Sequence, residues 1–162
     1  KAKNIHAKAV YIPGVAAIIS SVLRQSREMV LNSDFFSSAG IEDTKLFDIA
    51  GNAAEGVIYT SSAFSEDSSD DKIKAFVEAY KSQYGSVPTA YAANAYDTVM
   101  LIVEAIKKHD SAEADKIKQF LYQVKNYSGV SGKISFDNYG EVIKPVILKQ
   151  IKGLAFVVIG EK

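Results

Sequence analysis

The order of elements in the first sixty residues limits the fold of this chain more than any other feature. Short β-prone runs alternate there with segments whose apolar residues recur at helical spacing. The predicted strands and helices follow in the order 8–12, 15–30, 35–36, 44–50 and 56–60. Strands that alternate with helices in this way predict a parallel sheet covered by helices. Such sheets bind ligands at the carboxyl ends of their strands, so the loops 13–15, 37–40 and 60–64 are the candidate binding loops.

The remaining residues predict three helices followed by antiparallel strands. The helices span 71–84, 90–108 and 112–124, and the strands 133–136, 142–150 and 154–159. Ser68 or Ser69 is expected to cap the first of these helices, and Lys152-Gly153 to form the turn of a C-terminal hairpin. In the long helix 90–108, Tyr96 and Val99 are expected to face the core.

Composition excludes several classes of function. The 162 residues carry 19 Lys and Arg against 19 Asp and Glu, a balance that predicts no nucleic-acid partner. Cysteine is absent, which excludes disulfides, thiolate metal sites and cysteine nucleophiles. No apolar run approaches the roughly 18 residues that a membrane helix requires, so no membrane-spanning helix is predicted. Residues 1–4 (KAKN) lack the apolar core of a signal peptide, so the export signal of an exported protein would lie upstream.

The sequence predicts no catalytic residue, no metal and no cofactor. His6 and His109 are the only histidines, and His109 lies at the charged end of a helix, where a solvated histidine is favoured. Ser131 does not lie in a GxSxG elbow, and no phosphate-binding glycine motif occurs. A flavodoxin-like enzyme is therefore disfavoured.

Four segments, in this order and spacing, carry a resemblance to a known family. They are VYIPG at 10–14, LRQSRE at 23–28, IAGNAAEGV at 49–57 and YAANAYD at 91–97. Together they resemble the leucine/isoleucine/valine-binding family of type I periplasmic solute-binding proteins, over residues 5–159. The resemblance implies a three-layer α/β/α lobe with a mainly parallel sheet and C-terminal antiparallel strands, incomplete relative to the full two-lobe fold.

The resemblance also implies a division of the chain and a set of partners. Residues 1–64 would form a βαβαβ part of the second lobe, and 65–162 the helices and strands that return toward the hinge and the first lobe. The exposed sheet edge would be covered by the missing N-terminal half of the receptor or by a second copy of the chain. The implied function is that of an exported, periplasmic or extracellular substrate-binding component. It would hold a small-molecule ligand between its lobes and deliver it to a membrane ABC permease. A ligand-sensing domain of a receptor or regulator is the alternative.

By the same resemblance, the ligand-binding positions are Gly14, Val15, Ser38, Ala39 and Tyr91. Val15 replaces a typical aromatic, whereas Tyr91 matches the family. Ala39 replaces the acid that pairs with a ligand's α-ammonium, and an unpaired ammonium is costly to bury. The ligand would then lack an ammonium, unless another acid substitutes, or else the pocket has been altered or has lost binding.

Simpler structural roles stay open for two of these side chains and for Tyr96. Val15 could be the first buried residue of its helix, and Tyr91 and Tyr96 could be core aromatics. Val30 stands where a glycine commonly ends the first helix, which predicts that the left-handed terminator is absent and the turn altered.

Overall fold

The computed structural model describes residues 4–161. Residues 1–3, part of the N-terminal segment predicted to lack a signal core, and residue 162 lie outside that range. The chain divides into two compact units. The first joins 1–61 to 146–162, and the second is 62–145. The lobe ranges expected above, 1–64 and 65–162, stay predictions about a complete receptor.

The elements follow the predicted order closely. The strands are β1 Ala9–Tyr11, β2 Asp34–Ser38, β3 Ile58–Ser62, β4 Tyr127–Gly129, β5 Gly132–Phe136, β6 Val142–Ile143, β7 Val146–Lys152 and β8 Ala155–Glu161. The helices are α1 Ala16–Glu28, α2 Lys45–Ala50, α3 Asp71–Tyr84, α4 Ala90–His109 and α5 Ala114–Gln123, with short 3₁₀ turns at Ala39–Ile41 and Gly51–Ala54.

The first unit is built on a five-stranded sheet in the order β1-β2-β3-β7-β8. β1 pairs with β2 and β2 with β3 in parallel, whereas β7 and β8 form an antiparallel hairpin. The core is formed by apolar side chains of α1 and of the strands, among them Ile19, Leu23, Phe35, Tyr59 and Ile151. This mixed, mostly parallel α/β sheet confirms the predicted fold class.

Val30 ends α1 in an unexpected way. Its φ is 54°, in the left-handed region, and the N–H of Leu31 donates to the carbonyl of Ser26 at 3.0 Å. This bond spans the last turn as in a Schellman motif, whose left-handed residue is usually glycine. The prediction that the terminator would be absent is therefore wrong, because the chain keeps the turn with a β-branched residue in it.

Two predicted details of the C-terminal strands are also corrected. The strand expected over 142–150 is broken at Lys144 and Pro145, and its two parts, β6 and β7, belong to different sheets. Proline has no N–H to donate and rarely continues a strand. The hairpin turn consists of Gly153 and Leu154 rather than Lys152-Gly153, since Lys152 pairs with Ala155.

The second unit holds α3, α4, α5 and the three-stranded sheet β4-β5-β6. Asp70, not Ser68 or Ser69, caps α3, and its carboxylate accepts from the N–H groups of Lys72 and Ile73. The residues of α4 that are buried lie three or four apart, and they are Ala90, Ala93, Asp97, Leu101 and Ala105. Val99, expected inside, is 57% exposed.

Candidate functional site

The carboxyl ends of β1 and β2 meet, as predicted from the parallel order of the strands. The Ser37 hydroxyl donates to the carbonyl oxygen of Ile12 at 2.8 Å. A Cβ on Gly40 would overlap the carbonyl oxygen of Gly14, so only glycine permits this approach of the two loops. Gly40 was not among the predicted site residues, although its place after Ala39 in a strand-end loop was the signal for it.

Gly14 and Val15 shape the first of these loops. Gly14 has a φ of 154°, a conformation that L side chains rarely adopt. Val15 is the N-cap of α1, and its carbonyl accepts from the N–H groups of Ile18 and Ile19, each at 3.0 Å. Its side chain is 56% exposed, and Ala16 is the first buried residue of the helix. The simpler role for Val15, as that first buried residue, is therefore wrong.

Ser38 and Ala39 form the second loop. Ser38 ends β2 and precedes the 3₁₀ turn Ala39–Ile41. The side chains of Ser38 and Ala39 are both half-buried. The N–H of Glu42 donates to the carbonyl of Ala39 at 3.0 Å and closes the turn. The structure therefore brings Gly14, Val15, Ser38 and Ala39 to the same edge of the sheet of the first unit.

Tyr91 belongs to the second unit, in the first turn of α4. The N-cap of this helix is Thr89, whose hydroxyl accepts from the N–H of Ala92 at 3.3 Å. The Tyr91 side chain is 53% exposed, so a core role for it is wrong. Tyr96 is 39% exposed but packs its ring on that of Phe76, with centroids 4.9 Å apart.

A buried ion pair that sequence reasoning missed lies next to the second loop. The Glu42 carboxylate pairs with the Lys149 ammonium through Oε1 and accepts from the Ser61 hydroxyl through Oε2 at 2.6 Å. The side chains of Lys149 and Glu42 are only 7% and 12% exposed. The buried Tyr59 hydroxyl has no hydrogen-bond partner among residues 4–161, and burial and then the Glu42 charge raise its pKa well above the usual range.

The second unit contains a buried polar network around Asp97. The Asp97 carboxylate accepts from the N–H groups of Val130 and Ser131, each at 2.8 Å, and from the Ser131 hydroxyl. The Lys144 ammonium donates to the Ser131 hydroxyl and to Asn94, both at 2.6 Å. Burial lowers the pKa of Lys144, and the Asp97 charge opposes that shift. Ser131 is fully buried, and its N–H and hydroxyl are both bonded to Asp97. These bonds give Ser131 a structural role that requires no catalytic function.

Across residues 4–161, no three His, Cys, Asp or Glu side chains are placed to hold a metal ion together. No helix within the same range is long and apolar enough to cross a membrane. An open pocket of about 240 Å³ lies in the second unit, and its lining includes none of the predicted site residues.

Comparison with known proteins agrees with this architecture. A family model described as periplasmic binding protein matches residues 1–155. A leucine-, isoleucine-, valine-, threonine- and alanine-binding protein of Pseudomonas aeruginosa is 27% identical over 88% of this chain and 37% of its own length. A Leu/Ile/Val-binding protein homolog of Brucella abortus is 30% identical over 94% of this chain and 41% of its own.

Solved structures give the same assignment. A leucine-binding protein, LivK, from Thermotoga maritima superposes with a TM-score of 0.86 at 30% identity, over 95% of this chain and 44% of that one. LivJ from Streptococcus pneumoniae, solved with isoleucine, superposes with a TM-score of 0.79 at 26% identity, over 96% and 45%. The chain thus spans less than half the length of these relatives. Since the family model covers nearly the whole chain, this protein belongs to the periplasmic binding protein family.

Proposed function

We propose that this chain is part of the substrate-binding component of an ABC transporter. In the complete receptor it would hold a small solute, an amino acid or a related compound, between two lobes and deliver it to the membrane permease. The match of the family model to residues 1–155 carries this proposal. The protein would be exported and would catalyse no reaction. The relatives are named as binding proteins, which is consistent with both statements.

The ligand contacts that we propose lie in the strand-end loops and in α4. Gly14 and Ser38 would offer backbone groups and a hydroxyl, and Val15 an exposed apolar surface, because small and polar groups at the ends of parallel strands suit a small solute. Tyr91, whose ring is exposed at the start of α4, stays a proposed ligand contact of the complete receptor.

The charge of the second loop bears on the class of solute. Ala39 offers a methyl group in place of a carboxylate, and Glu42, three residues later, is already paired with Lys149. Asp43 is also engaged, since its carboxylate accepts from the N–H of Lys45 at 2.9 Å. We propose that the part of the ligand facing this loop carries no ammonium group.

A thermal-shift screen of the full reading frame that encodes this chain tests the proposal. The panel consists of matched pairs in which an amino acid and its 2-oxo acid differ only in the ammonium, for example leucine and 4-methyl-2-oxopentanoate. FMN serves as the control for a flavodoxin-like protein. We expect a rise in melting temperature with an oxo acid that exceeds the rise with its amino acid. A response to FMN alone would refute the transport function.

The variant Ala39→Asp tests the placement of the second loop. A new carboxylate there should pair with an ammonium and raise the affinity for aliphatic amino acids by about tenfold, the effect of one charge-assisted hydrogen bond. Isothermal titration calorimetry measures the change, and Ala53→Asp, on a 3₁₀ turn elsewhere in the unit, is the matched control. If the Ala39 variant gains no affinity for any aliphatic amino acid, this loop does not face the ligand.

A further inference from the structure

The loop from Ser38 to Glu42 is held from two strands by a single side chain. The Glu42 carboxylate reaches Lys149 on β7 with one oxygen and Ser61 on β3 with the other. The two pairings therefore use both oxygens of one carboxylate. Ser61 lies 19 residues after Glu42 in the sequence, and Lys149 lies 107 residues after it. The loop is also held by the fully buried side chain of Ile41 and by the approach of Gly40 to the Gly14 carbonyl, and its backbone is closed by short bonds such as that from Asp43 N–H to the Ile41 carbonyl, at 2.8 Å.

Stability alone does not account for this ion pair. Removing a carboxylate and an ammonium from water costs several kcal/mol per ion, and apolar side chains of similar volume often stabilise a fold as well or better. A buried pair does fix geometry, because moving either partner leaves the other charge desolvated and alone. Glu42 directly follows the 3₁₀ turn that contains Ala39, so the geometry fixed here is that of the candidate binding loop.

We propose that Glu42 and Lys149, together with Ser61, are positioning residues that hold the 38–42 loop in place for ligand binding. The ligand-binding part of this inference rests on the proposed function, whereas the anchoring of the loop does not. The Lys149 ammonium also balances the charge of Glu42, the carboxylate that directly follows the 3₁₀ turn. Lys149 would thus act on the ligand indirectly, through the position of the loop.

Hydrogen–deuterium exchange of the 162-residue chain tests the anchoring directly. Lys149→Met removes the cation and should speed exchange of the amides at 38–43 roughly 10- to 100-fold, the loss expected for a hydrogen bond to a charged group. The triple variant E42L/S61A/K149M replaces the whole cluster with apolar side chains. We expect it to regain the parental midpoint of urea unfolding but to keep the fast exchange of the loop.

Three further variants complete the design. Lys149→Arg keeps the cation and should restore exchange to near the parental rate. Lys74→Met breaks an exposed ion pair with Asp71 in α3 and should change neither exchange nor unfolding. Glu42→Gln has the smallest change in volume and decides the question if the triple variant does not fold. If residues 38–43 of the triple variant exchange at the parental rate, the inference is overturned. If the triple variant does not fold, the same result in Glu42→Gln overturns it.

Affinity measurements separate this inference from the proposed function. In the full reading frame, the triple variant should bind the best solute of the panel about tenfold more weakly, although it is as stable as the parent. Unchanged affinity together with fast exchange would show that the loop is anchored but does not serve binding, which overturns the positioning role. If the parent binds no solute of the panel, the proposed function fails, and the exchange experiment still decides whether the loop is anchored.

Discussion

Replacing Val30 with glycine should make the protein more stable. Val30 has a φ of 54° and is 80% exposed, so its side chain is strained by the backbone and adds little to the core. The left-handed conformation costs an L-residue about 1–2 kcal/mol, and β-branched residues are among the least tolerant of it. Glycine adopts this conformation without that cost, and the bond from Leu31 N–H to the Ser26 carbonyl, which requires the turn, is kept.

The gain is a difference between two opposing effects. Relief of strain contributes about 1–2 kcal/mol, and the greater backbone entropy of glycine in the unfolded chain takes back about 0.5–1 kcal/mol. The free energy of unfolding should therefore rise by about 0.5–1 kcal/mol. Urea titration followed by circular dichroism measures it, with an unchanged slope and a higher midpoint. In a chain of this length the melting temperature should rise by about 1–4 °C.

Two control substitutions isolate the backbone effect. Val30→Ala shortens the side chain but stays in the left-handed region, so it should gain less than Val30→Gly. Val22→Gly makes the same change inside α1, where glycine should lower the stability by at least about 0.5 kcal/mol. The reasoning is wrong if Val30→Gly is no more stable than the parent, or if Val30→Ala gains as much.

Three other substitutions have expected outcomes. Leu154→Gly should raise the stability by about 0.5–1 kcal/mol in urea, because Leu154 has a φ of 60° in its two-residue turn. Asp97→Ala should cost roughly 3–5 kcal/mol in the same titration, since it leaves the buried donors of Val130 and Ser131 unpaired. Burial, and then the charge of Glu104, raises the pKa of Tyr127 to about 12. Neutral Tyr127 therefore stabilises the fold fully below pH 10, and this contribution is lost as pH rises toward 12. The Tyr127→Phe variant should lack this loss of stability in unfolding measurements and the corresponding rise in tyrosinate absorbance.

Elements with local signals were predictable from the sequence. The predicted ends of α3 and α4 lie within a residue of the observed ones, because Gly85 ends the first helix and Val87-Pro88 separates it from the second. β4 was missed, since three residues of ordinary composition give no period to detect. The strand over 142–150 was overextended because its apolar pattern continues through Pro145, which belongs to neither β6 nor β7.

The polar groups of the core were not predictable, because their partners are far apart in the chain. Asp97 is bonded to residues 33 and 34 positions later, and Glu42 to one 107 positions later. A charge on a predicted helix face is assigned to solvent unless a partner is known, and single-sequence periodicity contains no information on a distant partner. The positions of Gly14, Val15, Ser38 and Ala39 at one sheet edge were predictable because parallel topology alone brings strand ends together.

The ion pair between Glu42 and Lys149 bears on whether another acid can replace the one that is missing at Ala39. The sequence left open that another acid substitutes there, and Glu42 is the nearest candidate, three residues later. Its pairing with Lys149 removes it from that role, because a second cation would have to compete with an ammonium already in contact and buried. Amino acids could bind weakly to the parent and more tightly to Ala39→Asp. That result would mean that the acid of the parental loop, Glu42, is present but neutralised by Lys149. The selectivity of the proposed binding loop would then depend on the position of Lys149 as much as on the missing acid at Ala39.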